Sequence, residues 1–97
     1  MAHIGEDFGK ELRKWETKVW SALDSAEGFA EECDLDNVLE YLMVAEWIRT
    51  AERPRAETTE ELRELALAVD RTLDVVHRKR ARIVNILKEK CGCGKRR

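Results

Sequence analysis

One spacing constrains this chain more than any other. Phe8, Leu12, Trp15, Val19, Ala22, Ala26, Phe29 and Cys33 follow one another at intervals of 4, 3, 4, 3, 4, 3 and 4 residues. An unbroken seven-residue alternation places all eight on one stripe of a helix that turns once in about 3.6 residues. A half-buried strand would show period two instead. The stripe predicts a first helix over 6–32. Its small residues, Ala22 and Ala26, leave room for a partner helix to come close.

The run CDLDN breaks the pattern, and Asp34 or Asp36 is placed to accept hydrogen bonds from the free N–H groups of a second helix. That helix is predicted over 37–52, with Val38, Leu39, Leu42, Met43, Ala45 and Ile48 as its apolar residues. Pro54 ends it, because proline lacks an N–H and disfavours helix in the residue before it. Thr58 followed by Glu61 reads as a capping box, in which each side chain satisfies the other's backbone N–H. A third helix follows over 59–90. Leu62, Ala66, Val69, Leu73, Val76, Arg80, Ile83 and Leu87 repeat the four-three spacing, and Gly92 and Gly94 stop it.

The expected fold is all-α: a three-helix antiparallel bundle with a long third helix, forming one domain over 1–90 with a basic Cys-Gly-Cys tail at 91–97. The second helix is too short to return the chain to the start of the first. The third should therefore overshoot the bundle by roughly 20 Å, at 1.5 Å per residue. Ile83, Ile86 and Leu87 would then need another partner, and a second copy of the chain is the simplest, giving a homodimer. Arg80 falls on a core position, so it should meet a carboxylate such as Glu46 or lie beyond the bundle.

Charge is divided along the chain. Residues 1–76 hold 9 Lys and Arg against 19 Asp and Glu, a net of −10, while residues 77–97 hold 9 against Glu89 alone, a net of +8. Such asymmetry points to an anionic partner for one end, either a nucleic acid or an acidic protein surface. Arg71, Arg78 and Arg82 lie within about 40° on a helical wheel, an outward row able to track phosphates. Lys79 and the terminal Lys95, Arg96 and Arg97 would add to it. Residues 77–97 contain no Phe, Tyr or Trp, which removes base stacking by this segment. Trp20 and Trp47 fall partly off the apolar stripes and are candidate interface residues.

Nothing here calls for a cofactor, and no motif marks an enzyme. No apolar run approaches the ~20 residues of a membrane span, so no membrane role is expected. Three cysteines make a poor disulfide framework, which reads as a reducing, cytoplasmic setting. Cys91 and Cys93 could supply half of a zinc or iron site, but the remaining ligands would have to come from a second chain.

Arg71 and His77 are separated by five residues in RTLDVVH. This spacing resembles the arginine–histidine motif of the HEPN family, all-helical domains that include dimeric, metal-independent ribonucleases. The resemblance implies acid–base chemistry for His77 and phosphate stabilisation for Arg71. On an ideal helix the two point about 120° apart, so convergence would require a kink or a second subunit. The sequence thus favours a small non-enzymatic binding protein that contacts a polyanion through its basic end. A protein-interaction module and a small ribonuclease stand as alternatives.

Overall fold

The structure, a computed structural model, describes residues 3–92. It is all-helical: α1 spans His3–Glu31, α2 Leu35–Ala51 and α3 Thr59–Lys90. Most of the stripe on α1 is buried as its spacing predicts; Phe29 is half-buried and Cys33, in the turn beyond the helix, is exposed. Phe8, Leu12, Trp15, Val19, Ala22 and Ala26 are all buried, and Leu23 and Ala30 widen the face. The widening has a cause: α1 is the central helix, packed by α2 on one side and α3 on the other.

Asp34 caps α2 by accepting from the Asn37 N–H, and the helix begins at Leu35, two residues earlier than expected. α2 runs back along α1, with Val38 packed among Ala26 and Ala30 and with the Trp15 indole donating to the Ile48 carbonyl at 2.8 Å. The α1–α2 turn is a Schellman closure in which Asp34 N–H bonds to Phe29 O and Cys33 N–H to Ala30 O. Cys33 holds the left-handed position, at φ 57°, where glycine is the usual residue.

The predicted overshoot does not occur. Residues 52–58 are not helical and return along α1, so that Glu52 lies beside Lys18 while Glu57 and Thr58 share a cleft with Asp7, Phe8 and Glu11. Seven residues in extended form cover roughly 23 Å, more than the stretch of α1 that α2 leaves uncovered. α3 therefore starts level with Phe8 and runs parallel to α1 to its end. At its start Thr58 Oγ1 accepts from Glu61 N–H at 3.0 Å, as a capping box requires. The Glu61 carboxylate, however, takes the Glu57 N–H, one residue earlier than the pattern expects.

The expected apolar row on α3 also needs correction. The buried residues are Glu61, Leu65, Ala68, Thr72, Val76 and Ile83, whereas Leu62, Ala66 and Leu73 of the predicted row are exposed. The predicted row is therefore half right: Val76 and Ile83 are core, and Val69 and Leu87 pack against it, while the α1-facing row is turned so that Leu65, Ala68 and Thr72 take the places of Leu62, Ala66 and Leu73. Ile83 is buried inside the chain against Ala26, Ala30 and Val38, and Ile86 and Leu87 pack on the same cluster. These three were expected to need a second chain. They do not, because α3 never leaves α1. Arg80 stands exposed outside the core.

Candidate interaction groove

α2 and α3 each pack on α1 and scarcely touch each other. Between them runs an open groove of about 460 Å³ with buried Leu23 as its floor. Leu39, Leu42, Met43, Glu46 and Arg49 line the α2 wall, and Leu73, Val76, His77 and Arg80 the α3 wall. Exposed apolar residues recur along both helices. On α2, Leu35, Leu39, Met43 and Trp47 recur at four-residue intervals, with Met43 70% and Trp47 63% exposed. On α3, Leu62, Leu73 and Val84 are exposed, and Leu73 lines the groove.

α2 is thus apolar on two sides, one against α1 and one against solvent. A helix patterned this way belongs between two neighbours, and here it has one. The polar groups of the groove sit in mid-wall. Glu46 accepts from Arg49 at 2.6 Å and 3.1 Å, and its carboxyl is held below the usual range, first by that hydrogen bond and then, against the cost of burial, by the charges of Arg49 and of Arg80 across the groove.

The predicted phosphate row is occupied from within. Arg71 pairs with Glu16 at 2.8 Å, Lys79 with Asp24 at 3.1 Å and with Glu27 at 2.5 Å, and Arg82 with Glu27. Three of these pairs, Glu16–Arg71, Asp24–Lys79 and Glu27–Arg82, share a sequence offset of 55 residues. A constant offset is what two parallel helices in register produce. The basic end of α3 therefore lies along the acidic side of α1. Arg78 turns outward and pairs with Asp74 one turn before it on α3. Lys90 pairs with Glu31 at 2.7 Å.

Lys79 is the best enclosed of these cations, and Trp20 covers it, with the ammonium 5.1 Å from the ring centroid. Its pKa is raised: burial pulls it down, but the carboxylates of Glu27 and Asp24 outweigh that. Glu27 is lowered by its hydrogen bond from Lys79, against the opposing effect of burial, and further by Arg82.

Arg71 and His77 are not brought together. Arg71 reaches toward α1, while His77 lines the groove on the α2 side. Among the described residues no group of three or more His, Cys, Asp or Glu side chains is arranged to hold a metal ion. Cys91 instead forms a disulfide with Cys33, with Cα atoms 5.5 Å apart, which the odd cysteine count did not suggest. Cys93, Lys95, Arg96 and Arg97 lie outside the described residues. No described helix is long and apolar enough to cross a membrane. No known protein family, curated protein or solved structure matches this chain.

Proposed function

We propose that the chain is a non-enzymatic assembly module that pairs with a second copy of itself through the groove between α2 and α3. The observation that carries this reading is the apolar groove floored by Leu23, with exposed Leu39 and Met43 on its α2 wall and exposed Leu73 on its α3 wall, and with Leu35, Trp47, Leu62 and Val84 exposed elsewhere on the same two helices. Single exposed apolar residues are ordinary, but apolar residues on both walls of one groove mark an interaction site.

Charge favours a second copy as the occupant. A two-fold pairing lays the α2 wall of one copy on the α3 wall of the other, so Glu46 meets the partner copy's Arg80 twice. Self-complementarity of this kind is what an isologous interface requires.

Sedimentation equilibrium tests the reading. Met43→Glu and Leu73→Glu should convert a dimer to a folded monomer, while Leu67→Glu, on the far side of α3, should not. Glu46→Arg and Arg80→Glu should each weaken pairing, and an equimolar mixture of the two variants should restore it, because both charge contacts are then opposite in sign. A mixture that stays monomeric while both variants remain folded would overturn the two-fold arrangement.

A polyanion role is our second proposal. Its support is that the Arg78 and Arg82 side chains stay 76% and 66% exposed while paired. A phosphate would have to displace Asp74 and Glu27, so the contact would be weak and salt-sensitive. Retention on a nucleic-acid column should fall when Arg78, Lys79 and Arg82 become alanine, and unchanged retention sinks the reading. We place the chain in the cytoplasm, where a disulfide forms and breaks with redox poise instead of persisting.

A further inference from the structure

The Cys33–Cys91 bond joins more than two helices. Cys33 lies in the turn that ends α1 and starts α2, and Cys91 caps α3, so one bond gathers three helix ends. The nearest groove residue on α2 is Leu39, six residues after Cys33, and on α3 it is Arg80, eleven residues before Cys91, so the bond ties together the two helices that form the groove walls. Cys33 is exposed and Cys91 half-buried, so the bond is open to thiols in solution.

The backbone gives a second, independent observation. The left-handed position at Cys33, φ 57°, suits glycine and disfavours a side chain. Local stability alone does not explain a cysteine at this position, whereas a required disulfide does.

Resting on the self-pairing proposed above, we infer that this bond is a redox-sensitive clasp which sets the order of the groove and so the strength of pairing. An external dithiol attacks the disulfide, its thiolate bonding to one cysteine sulfur and expelling the other as a thiolate. The second thiol of the reagent then closes the reagent's own disulfide and releases the first cysteine. The clasp gains two electrons and two protons as two thiols, and the dithiol loses the same. Without the bond, the last turn of α3 is held by Lys90–Glu31 and by the packing of Ile86 and Leu87. The start of α2 loses its covalent tie to that turn. A groove that must be ordered at the moment of binding binds more weakly than one ordered beforehand.

The test compares the full chain, oxidised and then treated with dithiothreitol, with Cys33→Ser. Alkylatable thiols should rise by two on reduction, and no rise removes the clasp. The dimer dissociation constant should rise at least tenfold on reduction and in Cys33→Ser, and an unchanged constant overturns the regulation. A chain monomeric in both states sinks the pairing itself, and amide exchange then reads the clasp alone. Tenfold faster exchange at Lys88–Cys91 on reduction retains it, and equal exchange removes it.

Discussion

Lys79 donates to Glu27 at 2.5 Å with both side chains largely withdrawn from water, 16% and 14% exposed. The ammonium also lies over the Trp20 ring, 5.1 Å from its centroid. This contact joins the acidic side of α1 to the basic end of α3. Lys79→Met should therefore destabilise the chain beyond the ~0–1 kcal/mol of a surface pair. It should stay below the ~3–5 kcal/mol of a fully buried one, because Arg82 still faces Glu27. A loss of about 2 kcal/mol in urea unfolding is expected, with the m-value unchanged.

The same pair sets an acid limb. Glu27 titrates below its ordinary value near 4.5 because Lys79 and Arg82 favour its charged form. Its contribution is then fully present above the unfolded-state value and is lost as pH falls through the folded-state value. Glu27→Gln should be less stable than the parent at pH 7, and the difference should shrink steadily below about pH 4.5. Parallel stability curves for the two proteins from pH 7 to pH 3 would refute the assignment.

Trp15 supplies the indole N–H that reaches the Ile48 carbonyl at 2.8 Å. That carbonyl also accepts the Glu52 N–H at 3.2 Å, where α2 ends. Trp15→Phe thus removes one of two donors and leaves the acceptor paired. The cost should sit near the low end of the range for a lost buried hydrogen bond, about 1 kcal/mol, with some lost packing besides. A cost above about 3 kcal/mol would mean that the indole ring, and not its N–H, is what the site needs.

The sequence shows α1 well because most of the residues it buries between its two neighbours fall on one row, with Leu23 and Ala30 beside it. It shows α3 poorly for the converse reason. Leu62, Ala66 and Leu73 satisfy a helical period as well as Leu65, Ala68 and Thr72 do, and period alone cannot say which set faces α1. The return of the chain was hidden too, since ERPRAE carries no apolar alternation yet runs as an extended bridge along α1. Once that bridge is missed, the basic end of α3 projects into solvent and its cations look free. The acidic flank that neutralises them, Glu16, Asp24, Glu27 and Glu31, was visible in the sequence. Only the constant offset of 55 residues between acid and base, which assumes parallel helices, would have matched the two.

Cys33 offers a prediction whose sign depends on redox state. In the oxidised chain the bond to Cys91 closes a loop containing α2 and α3, at a sequence separation of 58. Chain-entropy reasoning assigns such a loop about 4 kcal/mol, so Cys33→Gly should be clearly less stable than the oxidised parent. In the reduced chain no bond is at stake, and the remaining difference is the left-handed backbone at φ 57°. Glycine adopts that conformation without the side-chain penalty, against some added entropy in the unfolded chain. Under dithiothreitol Cys33→Gly should therefore match or exceed the parent by up to about 1 kcal/mol, while Cys33→Ser should not. Thermal unfolding of the three proteins with and without reductant reads both halves. A Cys33→Gly variant less stable than the reduced parent would mean that the turn does not hold its left-handed form once the disulfide is open.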